Sequence, residues 1–216
     1  MTLRIDVVSD VVCPWCFLGM KRLDRALVQV PEANAVVTWR PFQLDPSIPP
    51  NGLDRQQYMQ AKFGSSDRLQ QIHATLEQLG AAEGISFRFD AITRSPNTLD
   101  AHRLIRWAGA EGEAIQRDVV AELFSRYFEQ GQDIGDHDVL TDVAERSGMA
   151  TANLGERLTS AEDRGAVQAE IAEAQSKGVS GVPFFILAGR YAVSGAQETA
   201  VLADAIAQIA AMPKEA

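Results

Sequence analysis

The two cysteines of this 216-residue chain, Cys13 and Cys16, lie in the motif CPWC and are the residues best suited to do chemistry. They could form a structural cross-link, contribute to a metal site or act as a reactive dithiol. A disulfide between them would close only a four-residue loop, which stabilises a fold by about 2 kcal/mol. A tetrahedral zinc site needs four ligands, and the chain has no second cysteine pair to supply them. The motif therefore favours a reactive dithiol and predicts no metal site.

The residues around the pair predict different roles for the two sulfurs. Pro14 suits the first position of a helix, which makes Cys13 the N-cap residue. A thiolate there would accept hydrogen bonds from free backbone N–H groups, an arrangement that typically lowers a cysteine pKa from about 8.5 to between roughly 3.5 and 7.5. Cys16 shares the apolar stripe of the helix with Met20 and Leu23. We therefore expect an exposed, attacking Cys13 and a buried, resolving Cys16.

The pattern of apolar residues predicts the elements that position this motif. Period-two alternation indicates strands, and apolar residues three and four apart indicate helices. The pattern therefore predicts an α/β order of β-α-β, a long helical region, and then α-β-β-α. The predicted elements are a strand over LRIDVV, a helix from the cysteines to Pro31, a strand at 35–44, helices over 53–178, a hairpin of 183–187 and 191–193, and a helix at 197–211.

The composition limits the class of partner. The formal net charge of −9 argues against binding to nucleic acid or to an anionic membrane surface. No stretch approaches the roughly 18 apolar residues of a membrane span. Arg4 and Asp6 interrupt the apolar run at the N-terminus, unlike the core of a signal peptide. We therefore expect a cytoplasmic protein, in a compartment where thiols are kept mostly reduced.

Several motifs together resemble a known family. A strand followed by CPWC at a helix start, with a later GVP that opens another strand, is similar to the thioredoxin fold. The helical region between the two halves resembles the DsbA-like branch. Within that branch, PNTLDAHRLI, DIGDHDVL and GVSGVPFF resemble the cytosolic FrnE-type subfamily, which is related to 2-hydroxychromene-2-carboxylate isomerases and kappa-class glutathione transferases. The resemblance covers nearly the whole chain.

This resemblance implies a thioredoxin fold with a large all-helical domain inserted in its middle. The first part of the thioredoxin fold is expected at residues 1–52, the helical insertion at 53–160 and the second part at 161–216. The implied activity is thiol–disulfide oxidoreduction, with Cys13 as nucleophile and Cys16 as resolving thiol. The alternative is a glutathione-dependent isomerase or transferase that acts on a small aromatic substrate.

The resemblance also implies a loop that faces the dithiol, with a cis peptide bond between Val182 and Pro183. Trp15, between the cysteines, is expected to be exposed and is a candidate platform for substrate. Because Pro14 and Trp15 bring no positive charge to the thiol, we expect a moderate redox potential. Such a potential favours the reductase or isomerase direction in the cytosol.

Other candidate residues have both a functional and a structural interpretation. Asp10 is a candidate proton relay or a turn residue, and Asp6 a second relay candidate or a solvent-facing strand residue. His102 is a candidate substrate contact or a buried interface residue. Ser194 and Gly195, at the expected start of the last helix, are candidates to bind a glutathione carboxylate or to cap that helix.

We expect no bound cofactor, and glutathione or another thiol is a candidate co-substrate. The expected partners are thiols and disulfides of proteins or small molecules. The sequence is compatible with a monomer or a homodimer, and the residues do not identify the physiological substrate or reductant.

Overall fold

Two sheets form within residues 2–64 and 66–212, the part of the chain that the computed structural model describes. The strands are, in chain order, β1 (Leu3–Ser9), β2 (Ala35–Pro41), β3 (Leu53–Asp54), β4 (Arg94–Ser95), β5 (Phe184–Leu187) and β6 (Tyr191–Ser194). The main sheet has the order β2-β1-β5-β6, with β1 parallel to β2 and antiparallel to β5. It therefore joins the first and the last parts of the chain.

Helices occupy most of the chain between β2 and β5. In chain order they are α1 (Pro14–Gln29), α2 (Arg55–Phe63), α3 (Ser66–Ala82), α4 (Leu99–Glu111), α5 (Glu113–Phe128), α6 (His137–Arg146), α7 (Leu154–Thr159), α8 (Arg164–Ser176) and α9 (Thr199–Ala210). The helices α1 and α9 pack against each other, and α4, α5 and α8 contact β2. Within the described ranges, no helix has the length and apolar character needed to cross a membrane.

The predicted order of elements agrees with the structure, but some predicted ranges differ. The strand predicted at 35–44 ends already at Pro41. The region predicted to be purely helical contains the short strands β3 and β4, which pair with each other. Strands of two residues are too short to show a period-two pattern. The last helix is also shorter than the predicted range 197–211. The domain boundaries predicted after residues 52 and 160 stay predictions.

Aromatic packing fixes the helix that carries the cysteines. Phe17 of α1 stacks on Phe124 of α5, with ring centroids 5.1 Å apart and ring planes at 6°. It also meets the edge of Phe87 at 5.9 Å. Each such pair typically adds about 0.5–1.5 kcal/mol beyond the burial of its area. Because Phe17 follows Cys16 directly, this packing ties the dithiol to the helical region.

Candidate active site

The start of α1 holds Cys13 in the predicted N-cap position. Cys13 has extended backbone angles (φ −94°, ψ 113°), and Pro14 is the first residue of the helix. The Cys13 backbone N–H donates to the Asp10 carbonyl oxygen at 2.9 Å, which closes the turn after β1. The prediction of a helix that begins at Pro14 is confirmed.

Cys16 is fully buried, as the apolar stripe of α1 predicts. Burial raises the pKa of the Cys16 thiol well above its ordinary value, and the neighbouring Cys13 raises it further. The nearby Ser9 hydroxyl and the Asp10 backbone oppose this shift only in part. Cys16 therefore stays protonated at neutral pH and needs a base before it can attack a disulfide.

The expectation of an exposed Cys13 is wrong. Its side chain and backbone together are only 5% exposed, because the loop before β5 covers the sulfur. The Cys13 Sγ donates a hydrogen bond to the Val182 carbonyl oxygen, with a sulfur–oxygen distance of 3.6 Å. The sulfur accepts no capping hydrogen bond from the N–H groups of α1. Cys13 is therefore reached through a cavity and not from an open surface.

The loop over Cys13 has the peptide geometry that the family resemblance implies. The Val182–Pro183 bond is cis. The Pro183 carbonyl oxygen accepts a hydrogen bond from the Gly195 N–H at 2.9 Å. Helix α1 passes so close to this loop that a Cβ atom on Gly19 would lie 2.9 Å from Pro183 Cγ. Gly19 therefore allows the close approach of α1 to the loop.

A cavity of about 430 Å³ opens beside Cys13, between the start of α1 and the helices α2 and α3. Its wall is mostly apolar, with Met59, Ile72 and Leu76 among its residues. Trp15 lies at this cavity and is 38% exposed, in agreement with the expectation for this residue. We call this space the dithiol cavity. Its volume suits a small molecule or a short extended peptide segment.

The dithiol cavity is also lined by polar residues that no sequence motif indicates, among them Arg55, Tyr58, His73 and Tyr127. Burial, together with a hydrogen bond to Asp45, raises the pKa of Tyr58. Burial also raises the pKa of Tyr127 to about 12. The pKa of His73 is lowered by burial and by the nearby Arg55. These residues lie on α2, α3 and α5 and carry no local motif, so only the tertiary fold reveals them.

Asp10 and His102 are brought together beside the dithiol. Asp10 is 1% exposed and lines the dithiol cavity. Its Oδ2 atom accepts a hydrogen bond from the Leu44 N–H at 2.8 Å, and its Oδ1 atom lies 3.4 Å from His102 Nε2. His102, on α4, is buried. The interpretation of His102 as a buried interface residue therefore fits the structure. Its partner is Asp10, the candidate proton relay.

Asp6 does not reach this site. The interpretation of Asp6 as a solvent-facing strand residue is wrong, because it is only 8% exposed. Its carboxylate pairs with the Arg40 guanidinium at 2.7 Å. Alternation along β1 predicts an outward position, but Arg40 of the neighbouring strand covers the side chain.

Ser194 and Gly195 do not begin the last helix. Ser194 is the last residue of β6, Gly195 follows it, and α9 begins only at Thr199. The Gly195 N–H is already bonded to the Pro183 carbonyl oxygen and is not free to bind a carboxylate. Arg22 occupies the space before α9, where it donates to the Ala196 carbonyl oxygen at 2.8 Å. The prediction that Ser194 and Gly195 begin the last helix, and could bind an anion there, is therefore wrong.

The raised pKa of Cys16 predicts how the stability of the reduced protein depends on pH. Below the unfolded-state pKa of about 8.5, folded and unfolded chains both keep the proton, so the full stability is present. As the pH rises further, only the unfolded chain releases it, and stability falls until the folded-state pKa is passed. Urea unfolding of the reduced protein between about pH 7 and about pH 10 measures this loss.

The control for this measurement is Cys16→Ala, which lacks the titrating thiol. The free energy of unfolding of the wild type should fall relative to that of Cys16→Ala as the pH rises above about 8.5. Parallel curves for the two proteins would contradict the buried, protonated state of Cys16.

The mixed sheet, the dithiol at the start of a helix and the cis-proline loop that covers it are together typical of thiol oxidoreductases with a thioredoxin fold. The chain belongs to the family of the DSBA-like thioredoxin domain, whose sequence model matches residues 4–207. The predicted fold class and the family resemblance are thereby confirmed.

Solved structures of similar proteins extend this result. A probable DsbA oxidoreductase from Streptomyces coelicolor is 29% identical, with a TM-score of 0.88, over 99% of this chain and 92% of that chain. A 2-hydroxychromene-2-carboxylate isomerase is 19% identical, with a TM-score of 0.69, over 95% of each chain. The cytosolic disulfide reductase DsbM from Pseudomonas aeruginosa, solved with GSH, is 17% identical, with a TM-score of 0.64, over 98% of this chain and 96% of that chain. The last two share the fold.

Proposed function

We propose that this protein is a thiol–disulfide oxidoreductase that reduces or isomerises small disulfides, with Cys13 as nucleophile and Cys16 as resolving thiol. The observation that carries the proposal is the placement of the two sulfurs. Cys13 lines the dithiol cavity, whereas Cys16 is fully buried one helical turn further on. A substrate sulfur in the cavity can meet only Cys13, so the second sulfur acts after a mixed disulfide has formed.

The reaction proceeds in two exchange steps. The Cys13 thiolate attacks one sulfur of the substrate disulfide, an S–S bond forms, and the other substrate sulfur leaves as a thiolate and takes a proton. The Cys16 sulfur then attacks Cys13, and the second substrate thiol leaves. The substrate disulfide has gained two electrons and two protons, and the Cys13–Cys16 pair has become a disulfide. Two molecules of glutathione return this pair to the dithiol and leave as glutathione disulfide.

The cavity favours small substrates and offers them both charges, since Asp10 and Asp45 line it together with Arg55 and Lys62. Cys13 is too deeply covered for a bulky folded protein to approach its sulfur. The Arg55 guanidinium donates to the Tyr127 hydroxyl at 3.2 Å and makes no ion pair with a carboxylate in the part of the chain that the structure describes. A cation of this kind on an apolar wall suits a carboxylate of the substrate, as glutathione carries.

We also propose that the protein reduces substrate disulfides, rather than forming them, and that it does so in the cytosol. They are supported by the shared fold of DsbM, which is a cytosolic disulfide reductase and was solved with GSH. The sequence CPWC supports a moderate redox potential, because neither residue between the cysteines brings a positive charge to the thiol. A pair with such a potential stays largely reduced in the cytosol.

Competing substrates test the proposal. The reduced protein should catalyse glutathione-dependent reduction of hydroxyethyl disulfide faster than it reduces insulin, since only the small disulfide enters the dithiol cavity freely. Consumption of NADPH by added glutathione reductase measures the first reaction, and insulin precipitation measures the second. Failure to reduce either disulfide would overturn the proposal, and a clear preference for insulin would remove the small-substrate part of it.

The glutathione-dependent isomerase or transferase is the second candidate, favoured by the apolar wall of the cavity, which suits a small aromatic ligand. The variant Cys16→Ser separates the two candidates. Disulfide reduction that passes through a Cys13–Cys16 disulfide needs the resolving sulfur, whereas isomerisation of an aromatic substrate or its conjugation with glutathione does not. Isomerase or transferase turnover that survives in Cys16→Ser would favour the second candidate.

A further inference from the structure

Part of the wall of the dithiol cavity comes from two segments that are far from the cysteines in sequence. One is the loop between β2 and β3, which contributes Asp45 and the exposed Leu44. The other is α2, which contributes Tyr58 and Lys62. Cys13 lines the same cavity and is itself only 5% exposed. The position of α2 relative to the loop therefore decides how wide the cavity is at Cys13.

One chain of hydrogen bonds joins the two segments. The Tyr58 hydroxyl donates to Asp45 Oδ2 at 3.1 Å, and Lys62 Nζ donates to the Tyr58 hydroxyl at 2.7 Å. Burial raises the pKa of Tyr58, and the bond to Asp45 raises it further, so the hydroxyl keeps its proton. The pKa of Asp45 is lowered, mainly by a hydrogen bond from the Ser47 side chain, so its carboxyl stays ionised. A neutral donor therefore meets a charged acceptor, which is a strong form of hydrogen bond.

The loop is fixed on its side of this bond. Asp45 Oδ1 accepts from the Ser47 backbone N–H at 3.1 Å, which orients the carboxylate within its own turn. The preceding residue, Leu44, donates its N–H to Asp10 Oδ2 at 2.8 Å. Asp10 is buried and lies in the turn that leads to Cys13. The acceptor is therefore held at a fixed place beside the dithiol.

Helix α2 is fixed at its start and much less beyond it. The Arg55 N–H donates to the Thr93 carbonyl oxygen at 3.0 Å, next to β4. Of the described residues of α2, only Met59 is buried. Among the described residues, the bond between Tyr58 and Asp45 is also the only hydrogen bond that joins the helix beyond its first turn to another segment. The second half of the helix is therefore held in place by the packing of Met59 and by this bond.

We propose that the hydrogen bond between Tyr58 and Asp45 sets the size of the disulfide that reaches Cys13, because it closes α2 against the loop. While the bond holds, small disulfides enter the dithiol cavity and protein disulfides are excluded. When it breaks, the second half of α2 moves away about its fixed start, and a polypeptide segment reaches the sulfur. The proposal rests on the proposed function, since it assigns the substrate class of the same dithiol to one contact. Tyr58 is a positioning residue and takes no part in the exchange of sulfur bonds.

The variant Tyr58→Phe tests the proposal, because it removes the hydroxyl and keeps the ring. Lys62 Nζ lies over this ring, 5.1 Å from its centroid, and can stay there. A hydrogen bond to a charged group shifts an equilibrium by about tenfold or more. The ratio of insulin reduction to hydroxyethyl disulfide reduction should therefore rise by about tenfold. Insulin precipitation and NADPH consumption coupled to glutathione reductase measure the two rates.

Tyr191→Phe is the matched control, since it removes the same hydroxyl from β6. Tyr191 is 36% exposed and is not among the described residues that line the dithiol cavity. This variant should keep the wild-type ratio. Thermal unfolding of both variants checks that each is folded.

Alkylation of Cys13 in the reduced protein measures access without turnover. Iodoacetamide reports on the thiol itself, and a maleimide attached to a bulky dye reports on the width of the cavity. Mass spectrometry gives the rate at Cys13, because Cys16 is fully buried. In Tyr58→Phe the ratio of the maleimide rate to the iodoacetamide rate should also rise by about tenfold.

A double-mutant cycle with Asp45→Ala shows whether the two residues act through their bond. Asp45→Ala lacks the acceptor, so the addition of Tyr58→Phe should change the two ratios no further. Effects that multiply would show that the residues act separately, and would overturn the proposal.

Each outcome decides the proposal. If either ratio in Tyr58→Phe keeps its wild-type value, the bond does not set substrate size, and the oxidoreductase function stands as long as the wild type reduces hydroxyethyl disulfide. A wild type that reduces neither disulfide would overturn the proposed function and, with it, the assignment of substrate size. Raised ratios in Tyr58→Phe and in Asp45→Ala, with no further rise in the double variant, support both.

Discussion

Replacement of Cys13 by serine is expected to abolish thiol–disulfide exchange, whereas replacement of Cys16 by serine should leave a protein that forms a mixed disulfide and does not release it. The reason is the unequal access of the two sulfurs. Cys13 lines the dithiol cavity and Cys16 is fully buried, so the first attack needs only Cys13. The second step needs Cys16, because in the absence of an added thiol only its sulfur can displace the substrate from Cys13.

Mass spectrometry after incubation with glutathione disulfide measures this difference. Cys16→Ser should carry one glutathione on Cys13, and Cys13→Ser should carry none, since its remaining thiol is buried and protonated. The wild type should end as an intramolecular disulfide without an adduct. A glutathione adduct on Cys16 in the Cys13→Ser variant would reverse the two roles.

The sequence predicted the parts of the site that depend on neighbouring residues. The N-cap position of Cys13 follows from Pro14, and the burial of Cys16 follows from the apolar spacing along α1. Both are local properties of one helix, and the structure confirms both. The hairpin of β5 and β6 was predicted for the same reason, since its pattern is contained in about ten residues.

The sequence could not predict contacts between distant segments. Cys13 was expected to be exposed because the residue that covers it, Val182, lies 169 positions further along the chain. The pairing of Asp10 with His102 spans 92 positions. Nothing in the local pattern of either residue indicates its partner, because burial of a polar side chain is decided by the elements that pack around it.

Gly19 did carry a local signal. A glycine inside an amphipathic helix costs about 1 kcal/mol relative to alanine, so its presence between Leu18 and Met20 indicates a close approach by another segment. The structure identifies that segment as the Val182–Pro183 loop, because the Pro183 ring lies against the Gly19 position. The glycine therefore belongs to the architecture of the site although its side chain does no chemistry.

The variant Gly19→Ala should lower turnover by roughly 10- to 100-fold, because small displacements of reacting groups are costly. The new Cβ atom would lie 2.9 Å from Pro183 Cγ and 3.3 Å from Phe185 Cζ, so α1 and the loop must separate. The separation lengthens the contact between Cys13 Sγ and the Val182 carbonyl oxygen. Overpacking of this kind costs about 1–3 kcal/mol, which exceeds the roughly 1 kcal/mol gained from helix propensity.

Steady-state reduction of hydroxyethyl disulfide and thermal unfolding measure the two effects of Gly19→Ala. Gly165→Ala in α8 is the matched control, since a Cβ atom there meets no atom within 4 Å. The control should keep wild-type turnover and gain up to about 1 kcal/mol of stability from its higher helix propensity. If Gly19→Ala behaved like this control, with full turnover and a higher melting temperature, the close packing of α1 on the loop would have no part in positioning Cys13.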